Sequence, residues 1–169
     1  MAGGISMNVR FIDTSIMCNL LEIPDMCADK EQVKREFREI IDRKETLIMP
    51  LATIIETGNH IAHIPDGKGD ARYIVTKKFK EFLAKTAESE APWTLYGNAL
   101  DSKEIKYMSE NLEQFLPAKI GIGDMTIIYA YQKYLEEEPA IGTIMIWSTD
   151  EHLASYRQEN VSMQRRRKR

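Results

Sequence analysis

Three short, almost wholly apolar runs constrain this chain most: VRFI at Val9–Ile12, LIM at Leu47–Met49 and TIMIW at Thr143–Trp147, each followed by a segment of helical character. A strand that is apolar on both faces has to be buried on both, and such strands belong to parallel sheets covered by helices. The intervening segments supply those helices. Asp13, Thr14 and Ser15 can cap the helix SIMCNLLEI. DKEQVKREFREIIDRK repeats Val33, Phe37, Ile40 and Ile41 at amphipathic spacing. Pro50 opens a helix through LATIIETGNHIAHI up to Pro65, with Leu51, Ile54, Ile55, Gly58 and Ala62 as its buried face.

After the loop Asp66 to Asp70, a helix from about Arg72 to Lys85 carries Ile74, Phe79, Phe82 and Leu83 as its apolar positions. Trp93 to Tyr96 reads as a short strand, and Ser102 to Phe115 as a helix closed by Pro117. IGIGD leads into the helix MTIIYAYQKYLEEE, and DEHLASYRQEN completes the fold as a short helix. Strands alternating with helices predict an α/β protein with a mostly parallel central sheet.

A length of 169 residues and 43% hydrophobic content suit one domain with one sizeable core, over residues 8–156. MAGGIS before Met7 is set aside. No apolar run approaches the roughly 20 residues that span a bilayer, and the N-terminus lacks the basic start and long apolar stretch of a signal peptide. A soluble cytoplasmic protein with no membrane association is the expectation. Cys18 and Cys27 are too few for a disulfide framework and read as reduced packing residues. The chain ends in five basic residues, Arg165, Arg166, Arg167, Lys168 and Arg169; removing their charge from the net −3 leaves −8. Residues 157–169 thus form a basic tail, either a flexible solvated terminus or a clamp for nucleic acid that displaces counterions from phosphates.

Four carboxylates stand beside these elements. Asp13 ends the first strand, where an open α/β sheet gathers its ligands, although an Asp before a helix also serves as a cap. Asp124 falls on the apolar stripe of Ile127, Ile128, Tyr131 and Leu135, so it points inward and needs donors or a cation. With Ile at position 127 no capping box is present. Asp150 follows a strand end as Asp13 does, and it too can cap a helix. Glu56 is the exception: the helical phase above turns it away from the buried face, toward water, on the side of Asn59, His60 and His63. His60 and His63 lack the HExxH spacing of a zinc site.

The set FIDTS, IIETG, GDMTIIYAY and STDEHL, in this order and spacing, resembles the PIN-domain nucleases, especially the ribonuclease toxins of bacterial toxin–antitoxin pairs. The resemblance covers Val9 to about Tyr156. Asp13-Thr14-Ser15 matches the family's first acid, Glu56 its helical Glu, Asp124 with Ile127, Ile128 and Ala130 its third acid, and Ser148, Asp150 and Leu153 its last turn. Ser148 replaces the usual Thr, and extra length falls between His63 and Leu116. The resemblance implies a three-layer α/β/α sandwich and Mg²⁺- or Mn²⁺-dependent cleavage of RNA. It implies Asp13, Glu56, Asp124 and Asp150 as metal-binding catalytic residues, with Ser15 and Ser148 positioning them. It also implies an antitoxin partner and homodimers. Carboxylate oxygens are hard ligands suited to these ions.

Other classes fit less well. A phosphoacceptor receiver domain would need a second acid beside Asp13 and a lysine after the last strand, and TIMIWSTD has none. Gly121 to Gly123 make neither a P-loop nor a dinucleotide fingerprint. A catalytically silent PIN-like scaffold that binds RNA or protein is the alternative to an enzyme.

Overall fold

The computed structural model describes residues 8–96, 101–137 and 142–159. Its elements are β1 (Val9–Ile12), α1 (Thr14–Leu21), α2 (Lys30–Asp42), β2 (Thr46–Met49), α3 (Leu51–Ala62), α4 (Ala71–Ala87), β3 (Trp93–Leu95), α5 (Ser102–Phe115), α6 (Ile122–Glu137), β4 (Ile144–Trp147), α7 (Glu151–Ala154) and β5 (Arg157–Gln158). The strands lie in the order β3-β2-β1-β4-β5; β1 pairs in parallel with β2 and β4, and β2 with β3, whereas β5 is antiparallel to β4. The α/β class and the mostly parallel sheet expected from the apolar runs are present.

Strand alternation sends side chains into a separate core on each face. On one face Val9, Phe11, Ile48, Ile144 and Ile146 meet Met125, Ile127, Ile128 and Tyr131 of α6, Phe115 of α5 and Leu153 of α7. On the other, Ile12, Leu47, Met49 and Trp147 meet α1 through Ile16 and Met17, α2 through Val33 and Ile40, and α4 through Val75 and Phe82. Helices therefore cover both faces of the sheet. Phe11, at the centre, is fully buried and meets Tyr131 and Tyr134 edge-on at centroid distances of 6.1 and 5.6 Å. Burying one such side chain stabilises the fold by about 1.5–3 kcal/mol.

Arg10 interrupts the apolarity of β1, and its guanidinium is held by the buried Glu45 carboxylate in front of β2. That pair lies near the start of both strands, at the end of the sheet away from Asp13. A buried ion pair is costly to break because the remaining charge is left in low dielectric.

Three differences from the sequence reading have physical causes. In α4 Phe82 is buried and Phe79 packs on the core as expected, but Ile74 is 51% exposed and Leu83 is exposed too, and Val75 is buried instead. The closing helix is only one turn long, and the chain then turns back to add Arg157 and Gln158 to the sheet against Met145 and Ile144. The sheet thus takes the first two residues of the segment assigned above to the tail. Arg165 to Arg169 lie outside the described residues, as do the remaining tail positions from 160. Among the described residues no helix is long and apolar enough to cross a membrane.

The connections set the location of the site. From β1 the chain winds outward to β2 and β3, then returns past β1 to β4 on its other side. The carboxyl ends of β1 and β4 are where the winding reverses, and a crevice opens at such a switch point.

Candidate metal centre

Asp13 directly follows β1, and its backbone N–H donates to Trp147 O of β4 at 3.1 Å, so the two strand ends are tied across the switch point. Its side chain is 3% exposed. Oδ2 accepts three hydrogen bonds, from Ser15 Oγ at 2.7 Å, Ser148 Oγ at 2.7 Å and the Ser15 backbone N–H at 3.2 Å. The last of these is a helix cap, so Asp13 caps α1 and faces the crevice at once. Oδ1 takes none of the three bonds and is free for a further partner. The serines are themselves fixed: the Thr149 N–H donates to Ser15 Oγ at 3.0 Å and the Asp150 N–H to Ser148 Oγ at 2.9 Å. Ser15 and Ser148 thus hold Asp13 in one orientation, a task fitting the positioning role the family resemblance implies.

Glu56 overturns the helical phase read from the sequence. The buried side of α3 consists of Thr53, Thr57 and Ile61, whereas Ile55 is 54% exposed and Leu51 39%. Thr53 rotates the helix to this setting, because its hydroxyl, fully buried, donates to the Ile12 carbonyl at 2.7 Å, one residue before Asp13. Glu56 is consequently half-buried beside Asp13 rather than in water, and its Oε2 accepts from Thr14 Oγ1 at 2.7 Å. On its other side it lies against Gly123 in the first turn of α6. A Cβ at position 123 would overlap the Glu56 carboxylate, so the glycine makes the room that lets α3 and α6 bring two acids together.

Asp124 is half-buried one residue further along α6. Burial pushes its carboxyl up to about 6, helped by the charges of Asp13 and Glu56, with Asp150 adding a smaller push and the Gly121 backbone N–H pulling the other way. All four acids therefore act on one region. Behind them Cys18 of α1 is fully buried, and burial, then Asp13 and Glu56, push its thiol up to about 12. Asp150 is exposed and accepts from the Leu153 N–H at 3.1 Å, so it caps α7 as the capping reading expected while contributing to the field at Asp124. Among the described residues no three His, Cys, Asp or Glu side chains already form a ligand group. His63 is engaged with the Asn59 carbonyl at 2.7 Å through Nδ1.

The donor chemistry suits a hard divalent ion. The acids of this sheet end lie close enough to raise Asp124, and a cation among them would offset that repulsion. Two residues with a part in this geometry, Thr14 and Gly123, are not among the site residues the sequence suggests. Thr14 was seen only as part of the Asp-Thr-Ser turn, and Gly123 only as an incomplete glycine motif. A glycine immediately before an inward-facing Asp at a helix start was the available signal for the second.

No protein-family model matches the chain, and no curated protein is significantly similar to it.

Proposed function

We propose that this chain is a metal-dependent endoribonuclease of PIN-like architecture, in which Asp13, Glu56, Asp124 and Asp150 hold Mg²⁺ or Mn²⁺ at the switch point. The observation that carries this reading is the convergence of three sequence-distant carboxylates, Asp13, Glu56 and Asp150, on Asp124, with Asp13 fixed by two serines. A bound Mg²⁺ or Mn²⁺ would supply Lewis-acid stabilisation of the phosphate and a nucleophilic hydroxide near neutral pH. Asp13, oriented by Ser15 and Ser148, Glu56, held by Thr14, and Asp124 would be the carboxylates that hold such an ion. No protein nucleophile is required.

RNA as substrate, a toxin role with an antitoxin partner, homodimerisation and nucleic-acid binding by Arg165 to Arg169 extend the same reading and rest on the family resemblance. End-labelled RNAs incubated with Mg²⁺ or Mn²⁺, beside EDTA and Asp13→Asn controls, test it. Cleavage confined to the wild type with metal is the expected result. Equal cleavage in all three sinks the metal-nuclease model, and no cleavage together with tight RNA binding favours the silent scaffold.

A further inference from the structure

Beside the acids, α3, α5 and α6 enclose a cavity of about 420 Å³ with apolar walls from Leu51, Ile55, Met108, Ile122 and Ala130. Glu56 and Gly123 belong to the same lining, so cavity and acidic centre share a wall. A volume of this size lies within the range of small-ligand sites. Glu104, in the first turn of α5, also lines the cavity and is only 6% exposed. Its carboxylate accepts no hydrogen bond from any described residue, and burial followed by the charge of Asp101 raises its pKa against a smaller pull from Lys133. A carboxylate largely withdrawn from water, though not sealed from it, is destabilised without donors, and a ligand that brings N–H groups relieves this.

Apolar walls with one carboxylate, Glu104, set apart from the acidic centre to which Glu56 belongs select a flat, apolar body with N–H donors on one edge. Among the bases of single-stranded RNA, which proteins read on their splayed-out Watson–Crick edges, guanine alone presents two adjacent donors there, N1–H and N2–H, matched to the two oxygens of a carboxylate. Adenine and cytosine offer one amino donor next to an acceptor, and uracil one N–H between two carbonyls. We infer that this cavity is a base-binding subsite that takes an unstacked guanine of the RNA next to the scissile phosphate, with Glu104 accepting from both donors. The inference rests on the ribonuclease reading for the placement of the phosphate.

The test uses 5′-GMP, with AMP, CMP and UMP as controls, followed by the methyl resonances of Ile55 and Met108 in the full-length protein. GMP should shift them and bind at least tenfold more tightly than the other three. Glu104→Gln should weaken GMP binding roughly 10- to 100-fold, as expected for hydrogen bonds to a charged acceptor. Ile55→Trp, at an exposed position on the rim, should also remove GMP binding, and it serves where Glu104→Gln does not fold. Equal binding of all four nucleotides, or GMP binding that survives in Ile55→Trp, overturns the subsite. Metal-dependent cleavage with no GMP binding overturns it while leaving the ribonuclease reading intact. GMP binding without any cleavage overturns the ribonuclease reading and with it the placement beside a phosphate. N-acetyl-arginine amide shifting the same methyls more strongly than GMP would mean that the cavity takes a basic side chain of a protein partner instead.

Discussion

Replacing Asp124 with Asn should stabilise the metal-free protein at alkaline pH while abolishing activity. The carboxyl sits at about 6 in the fold against an ordinary value of 3.8, because burial and then Asp13 and Glu56 disfavour its charge. The folded state therefore holds this proton more tightly than the unfolded state. Stability falls as pH rises from the ordinary value to the raised one, and the whole loss is present above it. A shift of about two pKa units corresponds to roughly 3 kcal/mol at most. Asp124 is only partly buried, and solvent screening reduces the figure to about 1–2 kcal/mol. For a domain of this size that is a Tm higher by about 3–6 °C. Calorimetric melts in EDTA near pH 8 and about pH 4 check it. The variant should melt clearly higher at the alkaline pH and within about a degree or two of wild type at the acid one, where the folded Asp124 is neutral. Mn²⁺ should raise the Tm of wild type and not of the variant. Equal stability changes at both pH values, or a variant less stable at alkaline pH, would refute the electrostatic account of the site.

Other outcomes follow from the same geometry. Gly123→Ala should displace the Glu56 carboxylate and lower RNA cleavage by about 10- to 100-fold, with a Tm within a degree or so of wild type because Glu56 rather than backbone gives way. Of the two thiols, only the half-buried Cys27 should react with a water-soluble disulfide reagent in the native protein, since Cys18 is fully buried with its thiol pushed up to about 12; both should react in denaturant. Deleting Arg165 to Arg169 should weaken RNA binding and flatten the slope of log K against log salt by roughly 3–4 units if all five residues meet phosphates. An unchanged slope would mean that the tail is solvated.

The sheet was legible because its strands are apolar on both faces, and Asp13 and Asp124 were legible because a strand end and an apolar stripe place them. Glu56 was not. Helix α3 carries isoleucines and leucines on two sides, and the sequence alone favoured the side with Leu51 and Ile55. The structure buries Thr53 and Thr57 instead, the first by a hydrogen bond to β1, and turns Ile55 outward to line a cavity. A hydroxyl satisfied by a strand 41 residues away leaves no periodic signal. In α4 adjacent Ile74 and Val75 leave the same ambiguity, and Val75 rather than Ile74 joins Phe79 and Phe82 in the core. β5 was invisible because two residues have no pattern, and only pairing with β4 makes them a strand. Glu104 of α5 carries no periodic sign of burial in the sequence, yet it is 6% exposed in the fold.

Binding of Mn²⁺ to the purified chain, measured by calorimetry on wild type and Asp13→Asn, tests the four-acid centre most directly. Saturable binding to wild type with release of protons near pH 6, lost in Asp13→Asn, is the predicted result. Absence of binding in wild type, or undiminished binding in the variant, would contradict it.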